Sequence, residues 1–418
     1  MSDNPLRGLT PYNSVPEKFR RRGYRHTLSW VFFGIFIATV RRHGPFVIRS
    51  LGGTALHSLL LNVAMGLPLV MAWLWMPLVE RRNPVRLTGL LLGIGGLLLM
   101  GSAFVQSTLA LALVLAATML CATLYRPIFG TALQQIYPRE WRGKLLSLPS
   151  TLDMLTRALW LVLAGRLLTL DLQSYHRIFP LAGLCMLVGG WLFRGISGGR
   201  GIENDDGGGD LTVPQYVRTA FRRAVENRVL LVFLLGYMAV ASGGVIYGNT
   251  LPLFARDELA LTPGQWGYAQ AARLGAMLLS FWFWGRFMDR FGAPFTMVLC
   301  WGAMAVLSGA MFYVESWPVF LALLVARGLI FAGNILAFFP QVMHFTRASE
   351  TARGMGLHTS LWGLRWMLMP LVVIAVVDLD LFPKRFLFLG SFALMVIGTV
   401  VMTAVWWKDR RSGPAQGA

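Results

Sequence analysis

The chain is poor in acid. Its 418 residues hold 19 Asp and Glu against 38 Lys and Arg, a formal charge of +19, and charged residues of both signs make up only 14%. A soluble domain carries about 25%, so an ordinary water-facing surface is excluded. Cysteine is equally scarce. Cys121, Cys185 and Cys300 all fall in apolar runs at no metal-ligand spacing, which argues against a disulfide framework and a thiolate metal site. No G-x-x-x-x-G-K-[ST] segment occurs, so no nucleotide-driven motor is encoded in the sequence. No catalytic triad or metal cluster is visible; the chain reads as a non-enzyme that needs no cofactor. Residues 1–26 are polar, Arg-rich and longer than the short charged start of a signal peptide, and read as a retained arm.

What is abundant is apolar. Hydrophobic residues make up 56% and the mean hydropathy is +0.58, the signature of a membrane-embedded protein. Twelve stretches have the roughly 18–25 residues a membrane-crossing helix needs: 27–49, 55–79, 86–105, 107–132, 145–168, 178–195, 229–254, 264–285, 293–313, 317–342, 355–377 and 386–407. Segments on the side of the N-terminus carry 25 of the 38 Lys and Arg, and the opposite side carries six. Positive charge is retained in the cytoplasm, so both termini are expected inside, in a plasma-type membrane such as a bacterial inner membrane. The basic excess thus faces lipid headgroups and gives no ground for a nucleic-acid partner.

A glycine-rich, acidic stretch, Ser197–Pro214, interrupts the pattern after six spans. With Gln215–Arg228, whose apolar and arginine positions suit a surface helix, it reads as a cytoplasmic linker over 197–228. It separates a six-helix bundle over 27–196 from one over 229–407, followed by a cytoplasmic tail, 408–418. The halves repeat: Pro45 and Arg49 correspond to Pro252 and Arg256, Glu80-Arg81 to Asp289-Arg290, and Arg142-Gly143 to Arg353-Gly354.

The seven remaining arginines, 41, 42, 126, 157, 273, 327 and 365, lie at membrane depth with a single carboxylate, Asp153. A charge at the bilayer centre costs about 2.5–3.5 kcal/mol and normally faces protein or a water-filled cavity. One acid cannot neutralise seven bases, so an anion-attracting cavity is expected. Arg41 and Arg42 are about 100° apart around an α-helix and cannot both point into one site unless Gly44 and Pro45 loosen the turn. The planar guanidinium fork suits carboxylate or phosphate. Asp153 and Arg157, at i and i+4, share a helix face; they form either a structural ion pair or a proton-coupling carboxylate with its base. His43 could titrate near neutral pH or serve as a hydrogen-bonded core residue.

Gly285-Arg286-Phe287-Met288-Asp289-Arg290-Phe291-Gly292 resembles the G-x-x-x-D-R-x-G motif of the major facilitator superfamily. Met76–Asn83 keeps the acid–base pair Glu80-Arg81 without the glycines. Arg327 with Gly328 and Gly333 is similar to an arginine motif of the fourth helix, placed here in the tenth, while the fourth offers Tyr125-Arg126-Pro127. The resemblance implies an all-α membrane protein: twelve transmembrane helices in two six-helix repeats around a cavity lined by helices one, four, seven and ten. Arg41, Arg42, Arg126, Tyr247, Asn249, Arg327 and Asn334 would line it. Glu80, Arg81, Asp289 and Arg290 would gate it. The expected function is secondary active transport of a small organic or phosphorylated anion by alternating access, with a proton as a coupling ion to consider. Export of an acidic amphiphile, or a non-transporting role as receptor or assembly protein, are the competing expectations.

Overall fold

The computed structural model describes residues 12, 15–71, 83–138, 141–196, 228–345 and 348–411. The regular structure of these residues is helical throughout. Twelve helical units follow one another: α1 Glu17–Ser50, α2 Ala55–Val70, α3 Pro84–Phe104, α4 Thr108–Leu124 continued by Arg126–Ile136, α5 Arg142–Leu170 and α6 Tyr175–Arg194, then α7 Arg228–Asp257, α8 Pro263–Phe291, α9 Ala293–Tyr313, α10 Trp317–Phe345, α11 Ala348–Asp378 and α12 Phe386–Arg411. Eight are long and apolar enough to cross a membrane on those criteria alone; α2 and the first part of α4 are shorter apolar helices. The two left over, α5 and α8, are 29 residues each, about 43 Å at 1.5 Å per residue. They carry Asp153, Arg157 and Arg273 where a lipid-facing helix would carry leucine.

The packing repeats with the sequence. In the first half α1 packs on α5 and α6, α2 on α4, and α3 on α4 and α6; in the second α7 packs on α11 and α12, α8 on α10, and α9 on α10 and α12. Each pairing maps onto its counterpart by advancing six helices. The halves meet along α2–α11 and α5–α8, so the charged helices α5 and α8 lie between halves. Large apolar side chains such as Leu97, Leu159, Leu279 and Trp282 are left exposed, a surface that water would not tolerate and lipid tails would.

Two local departures from the expected spans matter. α1 starts at Glu17, well before 27, and changes to a π-helix over Ala38–His43. Pro45 has no N–H to offer the Arg41 carbonyl four residues back, and the Gly44 N–H reaches Thr39 O, five residues back. The widened turn is a loosening of the kind that Arg41 and Arg42 would need to face one site. α4 is not one continuous helix: it breaks at Tyr125, where Pro127 opens the second segment. The linker 197–227 and the pair Glu80-Arg81 lie outside the described residues.

Candidate functional site

The π-helical turn places Arg41 and Arg42 side by side at membrane depth. Each is half-buried. Arg41 lies within electrostatic range of Arg126, Arg157 and Arg273, and Arg42 within range of Arg273 and Arg157; Arg273 in turn feels Arg327. Arginines from α1, α4 and α5 of the first half therefore share one interior region with those from α8 and α10 of the second. Arg41 and Arg42 keep partial solvent access between the helices that enclose them.

Aromatic faces hold these cations where acids are missing. The Arg41 guanidinium carbon is 4.9 Å from the Trp366 ring centre, Arg126 is 5.1 Å from Trp362, and Arg327 is 3.7 Å from Tyr247. Ring faces attract cations through their quadrupole without supplying a countercharge, so the positive potential survives. Trp362 and Trp366 are one turn apart on α11. At i and i+4 the two indoles share one face of the helix.

Asp153 and Arg157 form a two-pronged ion pair, Nε–Oδ1 at 2.8 Å and Nη2–Oδ2 at 2.6 Å. Asp153 packs against Gly34 of α1. The sole carboxylate at this depth among the described residues is thus already bound to one arginine, leaving Arg41, Arg42, Arg126, Arg273 and Arg327 without an acidic partner among the described residues. Arg273 donates from Nε to Gln270 Oε1 at 3.2 Å, while its Nη2 and the Tyr247 hydroxyl are buried without a hydrogen-bond partner. Arg365 is buried against α7, donating to the Tyr237 hydroxyl at 3.4 Å.

The other sequence-named residues are engaged within the protein. Asn249 donates to Val245 O and accepts from Asn62 of α2, both at 2.7 Å, so its amide ties the halves together. Asn334 Oδ1 accepts from the Trp301 indole at 2.8 Å. His43 is fully buried with Nε2 3.1 Å from Leu161 O of α5; a carbonyl only accepts, so Nε2 carries the proton. Asp289 and Arg290 are exposed at the end of α8, where Gly292 turns the chain at φ 82° with its N–H on Met288 O at 2.8 Å. The final glycine of the sequence motif sits at a backbone angle other residues rarely adopt.

At the end opposite the N-terminus the halves are bolted together. Arg49 at the end of α1 grips Asp257 at the end of α7, with Nη2–Oδ2 at 2.7 Å and Nε 2.9 Å from both oxygens. Within the second half, Lys384 adds a 2.6 Å contact to the same carboxylate and Arg385 pairs with Glu258 at 2.8 Å, fixing the end of α7 that Arg49 grips. Asp378 of α11 accepts from the first backbone N–H groups of α2, Ala55 and Leu56, at 2.8 Å each, satisfying orphan donors at the positive helix end. The α8 side is tied by Trp266 Nε1 to Arg42 O at 2.9 Å and by Gly264 N to Thr169 Oγ1 at 2.7 Å. Among the described residues no hydrogen bond or ion pair joins the halves at the N-terminal end. The contacts of Arg49, Asp378, Trp266 and Gly264 close the two halves against each other at the end opposite the N-terminus.

The family described as Major Facilitator Superfamily matches residues 233–418. No curated protein matches the sequence. Among solved structures the fold is similar to the nucleoside transporter NupG, with TM-score 0.70 at 12% identity, covering 93% of this chain and 99% of that one. It is also similar to a bacterial homolog of the human lysosomal transporter Spinster in an inward-facing, unoccupied conformation, with TM-score 0.65 at 14% identity over 95% and 98% of the two chains.

Proposed function

This chain belongs to the major facilitator superfamily, and we propose that it is a secondary active transporter for a small organic or phosphorylated anion, working by alternating access across a bacterial inner-type membrane with both termini inside. The observation that carries the reading is that Arg41, Arg42, Arg126, Arg273 and Arg327 lie within electrostatic range of one another in a linked set, with Asp153 already committed to Arg157. Uncompensated guanidinium groups at membrane depth are costly, and an anionic ligand removes that cost when it binds. Nucleosides, named for NupG, are neutral, and a neutral solute would leave the charge standing.

Arg41, Arg42 and Arg126 approach from the first half and Arg273 and Arg327 from the second, so one anion touches both rocking bodies, as repeat-built transporters require. The free Nη2 of Arg273 and the free Tyr247 hydroxyl are donors ready for its oxygens. Asn249 and Asn334 support the cavity wall; the Asp153–Arg157 pair holds α5 in shape, and His43 anchors α1 to α5. Asp289 and Arg290, with Glu80 and Arg81, act in the gating turns.

A thermal-stability screen of the purified protein against carboxylates, phosphate esters and neutral solutes tests the reading, because a ligand of the folded state raises its apparent stability. Stabilisation by an anion, followed by its accumulation in proteoliposomes, is expected. Stabilisation by neutral solutes alone would overturn the anion assignment, and anion binding without flux would favour a receptor.

A further inference from the structure

The first half carries a second basic site, outside the central cavity. A cleft of about 570 Å³ opens at the N-terminal ends of α1 and α3 and the C-terminal end of α6, lined by Arg25, Arg86, Trp191, Leu192, Arg194 and Gly195. No acid lines it. α3 and α6 touch backbone to backbone here: a Cβ on Gly89 would sit 2.5 Å from Gly190 O and 2.6 Å from Arg194 Cβ. Arg194 therefore rests on Gly89, and Arg86, three residues before Gly89, lies on the same helix face. Arg25 completes the set, its Nη1 fixed 2.7 Å from Gly195 O at the end of α6. Three arginines from three helices thus line one cleft, at a place where Gly89 and Gly190 let α3 and α6 close up.

What lies beneath the cleft separates it from a site for a dissolved solute. Along α3 the exposed side chains are Leu90, Ile94, Leu97 and Leu98, and along α6 they are Leu181, Leu184 and Trp191, the last 72% exposed. These are acyl-chain contacts, and an indole at the rim of an apolar face marks headgroup level. A ligand matching both parts has an anionic phosphate on two apolar tails.

We propose that Arg25, Arg86 and Arg194 hold the phosphate of an anionic phospholipid of the inner leaflet, with Trp191 against its glycerol and the α3–α6 face against its chains. Basic clefts between helices on the cytoplasmic side suit such headgroups. The lipid would brace α1 against α3 and α6, the packed body of the first half.

The test is native mass spectrometry of the full chain released from micelles containing phosphatidylglycerol or phosphatidylcholine, with inorganic phosphate as competitor. The parent should retain phosphatidylglycerol in preference to phosphatidylcholine. The R25Q/R86Q/R194Q variant should lose affinity for it about 100-fold, at roughly a factor of five per arginine near a surface. A charge-matched control, K18Q/R20Q/R21Q, should retain it. Equal loss in the control would mean diffuse charge attraction and overturn the site; so would unchanged retention in the first variant. Displacement by inorganic phosphate at concentrations equal to the lipid's would reassign the cleft to a soluble anion. Both variants keep the central arginines, so failure of the lipid site is separable from failure of the transport reading.

Discussion

The Arg49 guanidinium and the Asp257 carboxylate meet at 2.7 Å across the two halves, 208 residues apart in sequence. Pro45–Arg49 and Pro252–Arg256 are matching positions of the internal repeat, so the pair joins the equivalent ends of α1 and α7. One equivalent end supplies the cation and the residue after the other supplies the acid. This asymmetry between copies is what lets a duplicated unit close on itself.

That bolt should weigh on the conformational equilibrium. The two side chains are less than a quarter exposed, and a hydrogen bond to a charged group contributes about 1.5–3 kcal/mol. Asp257→Asn should shift the population toward opening at this end by roughly 10–100-fold, seen as a longer distance between spin labels at the exposed Leu56 and Leu381. An unchanged distance distribution would show that Asp378 on α2 and the Trp266 and Gly264 contacts of α8 hold this end without Arg49.

The central arginines should discriminate by geometry as well as charge. At Arg41, Arg42 and Arg126, affinity for the transported anion should fall in the order Arg, Lys, Gln, since Lys keeps the charge and loses the planar fork. Truncating a buried charged contact costs about 2–5 kcal/mol, which puts a micromolar ligand beyond detection for Gln. Arg256→Gln, at the outer end, is the control and should bind like the parent. If Gln at all three central positions leaves affinity intact, the anion must be sought at Arg273 and Arg327.

The α8–α9 turn should separate binding from movement. Asp289 is exposed and makes no ion pair with the described residues, so Asp289→Asn should leave ligand affinity within about twofold while slowing uptake tenfold or more, if it acts only in another state of the cycle. Gly292→Ala forces a Cβ to φ 82° and should lower stability by about 1 kcal/mol or more, read as a lower melting temperature. Equal uptake by Asp289→Asn and the parent would remove the gating role.

The topology rests on charge asymmetry and is open to direct labelling. Single cysteines at Gly207 and Ser412 should react with a membrane-impermeant maleimide only from the cytoplasmic side. One at Glu315, exposed in the loop between α9 and α10, should react only from outside. Labelling of Gly207 from outside would reverse the orientation.

Sequence by itself determined the twelve helices, the break into two halves and the presence of surplus cation at membrane depth. Apolar length, glycine-rich interruption and charge placement are local properties that survive without a fold. Pro45 likewise announced trouble in α1, because a missing N–H acts within its own turn; Pro127, inside a span read as continuous over 107–132, was not read as the break that α4 makes there. Which charges were free was decided only by tertiary structure. Asp153 at i+4 from Arg157 was legible as a pair, but Asn249 bonding Asn62, Asn334 bonding Trp301, and Trp362 and Trp366 facing Arg126 and Arg41 all join separate helices. The same holds for Arg49 and Asp257. Their partnership depends on α1 and α7 ending at the same height on the same side of the bundle, a fact of packing that no run of residues along either helix contains.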